Sequence, residues 1–267
     1  MHPANAYAQR NKRACAVCTK GIYLICIKGD GFWGFCYRNC RFYVELCSIE
    51  SIAVSNLSFK YPFNEKESLK HMSCTFKKGD TVRVTGGNGS GKSTFFKLLS
   101  GMYAIENGNI ELNDKPVSCY SRVSLNEQIL YINQDEKCLN ETMNTYIRTI
   151  ASRTISDEEL NGMLASVELE GSGSISGNGA SLSGGQRKKL YIMKLIAAAS
   201  RASVILLDEV TAGLDAETID KFYALLDDIA EKGDRIMFIV DHKEGKSALY
   251  TKTLEFDGGN VEIRSDI

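Results

Sequence analysis

Apolar positions between Ser48 and Gly79 alternate with polar ones, which is the spacing of half-buried strands. Ile52, Val54, Leu57 and Phe59 predict one strand with an irregularity at Ser55-Asn56, ending at Tyr61-Pro62. A charged loop over 63–70 leads to a second strand near 72–76, then to the turn Lys77-Lys78-Gly79-Asp80. Thr81-Val82-Arg83-Val84-Thr85 predicts a third strand, and Phe95, Phe96, Leu98 and Leu99 a short helix closed by Gly101. Gly108-Asn109-Ile110-Glu111-Leu112-Asn113 reads as another strand between turns. No helix separates the early strands, so they are expected to pair antiparallel. Further on the spacing becomes helical. Gln128-Ile129-Leu130-Tyr131-Ile132 is a strand; Ser156-x-x-Glu159 then forms a capping box ahead of Leu160, Met163, Leu164 and Val167. After a Gly/Ser loop over 171–179, a helix from Gln186 places Leu190, Met193, Ile196 and Ala197 on one face and runs to about Ser200. Val204-Ile205-Leu206-Leu207 is apolar throughout, as a strand covered on both faces must be. Ile219, Phe222, Leu226 and Ile229 mark a helix that stops at Gly233, and 235–240 the next strand. Strands alternating with helices predict a parallel α/β sheet.

Between the third strand and its helix lies Gly86-Gly87-Asn88-Gly89-Ser90-Gly91-Lys92-Ser93-Thr94, which fits G-x-x-x-x-G-K-[ST]. Glycines let the backbone approach an anion and take dihedrals closed to other residues. Amide N–H groups and the helix N-terminus then converge on phosphates. Lys92 adds a charge at the β/γ-phosphates and Ser93 a hydroxyl for Mg²⁺. The expectation is a nucleoside-triphosphate site.

Composition changes the picture at one end only. The 267 residues are 43% hydrophobic and 24% charged, ordinary for a globular protein with ample length for a buried core. The net charge of −1 hides an asymmetry. Residues 1–47 carry seven Lys/Arg against Asp30 and Glu45, which is +5, leaving −6 for the remainder. Six of the nine cysteines (Cys15, Cys18, Cys26, Cys36, Cys40, Cys47) also lie there. A nucleotide motor works in the reducing cytoplasm, so no disulfide framework is expected. Cys15-x-x-Cys18 and Cys36-x-x-x-Cys40 approach a zinc spacing with one residue too many in the second gap. The interleaved aromatic and basic residues would equally suit an anionic membrane face. A poorly ordered extension is the third reading of 1–47. The apolar run Gly21-Ile22-Tyr23-Leu24-Ile25-Cys26-Ile27 stops at Lys28, too short to span a bilayer, and no clear signal peptide is present.

The run 204–207 ends in Asp208-Glu209. In P-loop enzymes an Asp here holds Mg²⁺ opposite the loop Ser, and a second carboxylate is placed to orient or deprotonate a water. Farther along, Leu182-Ser183-Gly184-Gly185-Gln186 resembles the signature motif of ABC ATPases, and the family's other motifs occur in order. Tyr61 resembles the aromatic that stacks on adenine, and Gln134 the Q-loop glutamine. Ala212-Gly213-Leu214-Asp215 resembles the D-loop, and His242 the switch histidine after the last core strand. The resemblance runs from Ser48 to the C-terminus. It implies a P-loop core with a parallel sheet, an antiparallel β subdomain and an inserted helical subdomain at about 137–185. It also implies ATP and Mg²⁺, with Ser93, Gln134 and Asp208 near the metal, Glu209 as base, and His242, Lys92 and Gln134 around the γ-phosphate and water. LSGGQ is expected just ahead of a helix, where Ser183, Gly184, Gly185 and Gln186 form a second anion cradle. One chain cannot easily aim both cradles at one phosphate tail. The family's solution is a head-to-tail pair of cassettes with ATP between the P-loop of one and the signature of the other, Asp215 lying at that interface.

Gln134-Asp135 with Leu139, Thr142, Met143, Tyr146 and Ile147 resembles the exporter pattern, which implies the ATPase half of an exporter of small peptide or lipid-like cargo. Two departures stand out. The stretch 176–181 lacks the Glu that exporters often carry before the signature, and Val210 replaces the usual Pro after Glu209, with a modest local effect expected. The implied partners are a second cassette, as homodimer or heterodimer, and a membrane-spanning domain on another chain, which places the protein at the cytoplasmic membrane face. No nucleic acid is expected, since the cassette is acidic. The alternatives are an ABC ATPase acting on ribosomes or chromosomes, and a truncated half-transporter.

Overall fold

The computed structural model describes residues 14–19, 22–27, 33–36, 42–133, 140–151, 153–169, 173–176, 181–211, 214–241 and 249–265, with the backbone alone for those before Val44. The first stretch holds β1 (Ala14–Thr19), β2 (Ile22–Ile27), β3 (Trp33–Cys36) and β4 (Phe42–Val44), paired antiparallel in that order. No element was expected there. Packing into the main body begins ahead of the boundary expected at 47/48. Val44 bridges Tyr120, and Leu46 is buried.

The alternating stretch forms β5 (Ser51–Phe59), β6 (Leu69–Lys77), β8 (Asn107–Leu112) and β9 (Lys115–Pro116), an antiparallel sheet ordered β6-β5-β8-β9. The expected irregularity is a register shift between Val54 and Leu57, where Asn56 takes φ 47°. Asn tolerates this left-handed backbone better than a bulky residue would.

The central sheet is built from β7 (Thr81–Gly86), β10 (Ile129–Ile132), β11 (Val204–Leu207), β12 (Ile236–Val240), β13 (Lys252–Asp257) and β14 (Asn260–Ser265). Its order is β10-β11-β12-β7-β13-β14, and every neighbour is parallel except the hairpin β13-β14. Strand residues point alternately to two cores. Val204, Leu206, Phe238 and Val82 join the apolar cluster shared with the antiparallel sheet and helix α1 (Lys92–Leu99). Ile205, Leu207, Met237 and Ile239 join the other, with α3 (Met143–Ala151), α4 (Asp157–Ser166), α5 (Gly184–Ala198) and α6 (Ala216–Glu231). A short helix α2 (Arg122–Gln128) precedes β10.

Three expectations need correction. β12 is not the last strand of the sheet, because β13 pairs parallel with the far edge of β7. The capping box at Ser156 is half formed: Ser156 accepts from Glu159 N, but the Glu159 carboxylate pairs with Arg153 instead of turning back. The helix expected from Gln186 begins at Gly184, so LSGGQ does not precede the helix but supplies its N-cap and first turn.

Among the described side chains, Cys47, Cys74 and Cys119 are free thiols. Burial pushes Cys74 up to about 12, so it stays protonated and behaves as an apolar core residue. No described helix is long and apolar enough to cross a membrane.

One buried polar cluster ties the sheet together. Asp241, 2% exposed, accepts hydrogen bonds from the Tyr223 hydroxyl of α6 at 2.6 Å and the Tyr250 hydroxyl at 2.8 Å. Burial, then Asp241 itself, pushes both phenols up from their ordinary range, which keeps them as donors. Arg83 of β7 lies over the Tyr250 ring. The cluster thus fastens the end of β12 and the approach to β13 to α6. Asp241→Ala leaves two buried hydroxyls without their acceptor and is expected to cost about 2–4 kcal/mol, whereas Tyr250→Phe costs about 1 kcal/mol. Urea unfolding of the two variants beside the parent checks the order and the gap.

Candidate active site

Parallel register decides where the chemistry collects. Ile132, Leu207 and Ile239 are aligned in β10, β11 and β12, and Ile239 is aligned with Arg83 in β7. The residues that follow therefore emerge along one edge of the sheet: the glycine loop after β7, Asn133 after β10, Asp208-Glu209 after β11 and Asp241 after β12. The carboxyl edge of a parallel sheet is where such folds bind ligands.

Here the edge forms a cleft of about 670 Å³, lined by Asn88 to Thr94 of the loop, by Tyr61, Asn64 and Ser68 on one side, and by Tyr131, Asn133, Asp208 and Glu209 on the other. Its size suits a nucleotide. Gly86, at φ 134°, lies so close to β13 that an added Cβ would come 2.3 Å from the Phe256 carbonyl oxygen. Gly91, at φ 118°, lies against Ser68, whose carbonyl oxygen would be 2.5 Å from a Cβ. The loop is thus braced by the neighbouring chain, and the turn of the β13-β14 hairpin adds a bond from Gly259 N to Ser90 O at 3.2 Å. Lys92 is 5% exposed, and its ammonium donates to the carbonyls of Gly86 and Gly87 at 2.8 and 2.9 Å. A lysine folded back over its own loop is held where a phosphate tail would run.

On the opposite wall Asp208, 7% exposed, accepts from the Tyr131 hydroxyl at 3.0 Å. Glu209 takes φ 55°, a left-handed backbone that costs a non-glycine residue on the order of 1–3 kcal/mol. Val210 is buried in the core beside it and holds the turn, so the residue standing for Pro packs rather than disrupts. The oxygen groups of Ser93 and Asp208 face one cleft and make a donor set suited to Mg²⁺, which prefers hydroxyl, carboxylate and water oxygens.

Tyr61 lines the cleft, with its hydroxyl 3.2 Å from Thr94 Oγ1 and its ring edge-on to Phe59 and Tyr103. Gln134 and His242 lie outside the described residues, as do Ala212 and Gly213. Ser183, Gly184, Gly185 and Gln186 do not line this cleft. They are exposed at the start of α5, where Ser183 accepts from Gln186 N at 3.2 Å and Gln186 Oε1 accepts from Ser183 N at 3.0 Å. Asp215 also lies outside the cleft lining. It caps α6, accepting from Thr218 N and Thr218 Oγ1 at 2.8 Å each, and these bonds hold its carboxyl below the ordinary range. Sequence reasoning missed Asn64, Ser68, Lys97, Tyr131 and Asn133. Tyr131 alone carried a signal, as a hydroxyl in an otherwise apolar strand.

A parallel sheet with a glycine loop between its strand β7 and helix α1 defines a P-loop nucleotide-binding protein. The ABC transporter family matches residues 69–212, more than half of the chain, and the chain belongs to that family and carries its ATPase domain. It is 31% identical over 227 residues to the glutathione/L-cysteine transport system ATP-binding/permease protein CydC of Haemophilus influenzae, covering 82% of this chain and 39% of that protein. It is 32% identical over 224 residues to the ATP-dependent lipid A-core flippase of Vibrio parahaemolyticus, covering 80% of this chain and 38% of the flippase. A solved bacterial Atm1-family ABC exporter with ATP bound shares the fold at TM-score 0.71 and 23% identity, over 82% of this chain and 39% of that one. The chain therefore spans about two fifths of the relatives it matches.

Because the tightest brace at Gly91 is the Ser68 carbonyl, a backbone atom, and its φ is one that other residues rarely adopt, Gly91→Ala is expected to destabilise the fold by roughly 2–4 kcal/mol and weaken nucleotide binding at least about tenfold. Gly87→Ala, with no neighbouring atom within 4 Å of the new Cβ, leaves the melting temperature unchanged. Thermal melts of both variants test the contrast.

Proposed function

We propose that this chain is the ATP-hydrolysing cassette of an exporter-type ABC transporter, acting as one of a pair of cassettes coupled to a membrane-spanning domain. The observation that carries the reading is a separation. Loop, Asp208 and Glu209 share one cleft, while the second anion-binding element, Ser183–Gln186, lies exposed outside it. A second cassette turned head to tail would bring its Ser183 hydroxyl and the amides of Gly184 and Gly185 onto the open side of the cleft.

Within that pair the loop amides and Lys92 hold the ATP phosphates, and Tyr61 stacks on the adenine. Ser93, Asp208 and Gln134 would hold Mg²⁺, which when bound would neutralise charge on the ATP phosphates. Glu209 takes the proton of the attacking water, His242 holds the γ-phosphate and that water by hydrogen bonds, and Asp215 orders the facing interface. Hydrolysis removes the γ-phosphate that joins the two cassettes, so the pair opens and passes the change to the membrane domain. The relatives named for glutathione/L-cysteine transport and lipid A-core flipping favour a small peptide-like or lipid-like cargo moved from the cytoplasmic face.

Glu209→Gln removes the base and keeps the cradle. Its mass in solution is expected to double on adding Mg-ATP, with wild-type turnover reduced at least about 100-fold. Light scattering beside an ATPase assay reads both. A variant monomeric with and without Mg-ATP, together with a wild type that hydrolyses nothing, overturns the reading.

A further inference from the structure

We infer that Tyr131 is a positioning residue for the cation site, fixing both the orientation of Asp208 and its distance from Ser93; the inference rests on the function proposed above. The register makes the contact unavoidable. Tyr131 on β10 is the partner of Leu206 on β11, and Asp208 lies two residues beyond Leu206, on the same face. A phenol is long enough to reach across that step, and its hydroxyl donates to Asp208 Oδ2 at 3.0 Å. Both groups are nearly buried, Tyr131 at 9% and Asp208 at 7% exposure. A charge-assisted bond in such surroundings orders the carboxylate strongly. The bond engages Oδ2 and sets the rotation of the whole carboxylate, and with it the position of Oδ1.

The same ring faces the other wall. It packs edge-on against Phe96 of α1 with centroids 5.9 Å apart and planes at 82°. Phe96 is three residues beyond Ser93, about one helical turn away and on the same side of α1. One side chain therefore touches the helix that carries the hydroxyl ligand and hydrogen-bonds the carboxylate ligand. A Phe or Leu here would keep the core filled but leave Asp208 free to rotate. Groups that orient metal ligands in this way typically change metal affinity by 10–100-fold when removed.

The test is Tyr131→Phe, which keeps the ring and its packing on Phe96. Binding of Mn²⁺ in the presence of ATP, followed by electron paramagnetic resonance, is expected to weaken about tenfold. Binding of a fluorescent ATP analogue in EDTA should stay at the wild-type value, because the cradle is untouched, and the melting temperature should fall by only about 2–4 °C, the share of one lost hydrogen bond. In an Asp208→Asn background, Tyr131→Phe should produce no further loss of Mn²⁺. Unchanged Mn²⁺ affinity in the single variant overturns the inference. So does an equal loss of metal-free ATP binding, which would make the residue structural for the whole cleft. A wild-type protein that binds no ATP in either buffer would instead sink the proposed function, and the inference with it.

Discussion

Everything at the site depends on four buried strands being aligned parallel. β10, β11 and β12 present apolar residues to both faces and β7 to one, through Val82 and Val84, so a slip of one residue would move each side chain onto the wrong face. That penalty fixes the register, and the register fixes which residues leave the sheet together. The loop at Gly86, the carboxylates at 208 and 209 and the buried Asp241 are neighbours because their strands end level. Their chemistry is set by packing far from the cleft.

Functional residues are then held under local strain that this packing can carry. Glu209 keeps its left-handed backbone because Leu207 on one side and Val210 on the other are buried, leaving the turn between them no room to relax. Gly86 and Gly91 press against backbone atoms of Phe256 and Ser68, so the cradle cannot widen without moving β13 or the approach to β6. The loop that would bind phosphate is rigid by contact with two different segments, the β13-β14 hairpin and the residues leading into β6, and rigidity of this kind keeps donors aimed without reorganisation.

What was legible in the sequence is what local spacing encodes. Val204 to Leu207 could only be a buried strand, and the loop motif stated its own flanks. The β13-β14 hairpin went unread although its signals were present. Leu254 and Phe256 alternate with polar residues, and Gly258-Gly259, both at positive φ, make the two-residue turn such hairpins use. Only two buried residues in β13 gave too little periodicity against the charged surroundings. Helix α3 was overlooked for a different reason. Met143, Tyr146, Ile147 and Ala151 follow helical spacing, but the same residues carry the exporter-like pattern, which masks the period. Helix α2 buries just Ser124 and Leu125 and leaves Val123 exposed, so it has no stripe to read. Contacts such as that of Tyr131 with Asp208 join residues far apart in the chain, and no single-chain pattern announces them.

Asp215 and the signature residues show how the same groups serve fold and function at different stages. A helix N-terminus leaves several amides without partners inside the helix. Ser183 and Gln186 satisfy two of these reciprocally at α5, and Asp215 satisfies its own end of α6. Both caps hold their helix starts in one conformation while the glycines at 184 and 185 leave the surface open, with no neighbour within 4 Å of where a Cβ would be. A rigid, open, positively polarised surface attracts an anion, yet this chain's own loop lies elsewhere. In the pair of cassettes proposed above, the phosphate tail would be brought by the loop of the second cassette, and each chain's cradle would complete the other's.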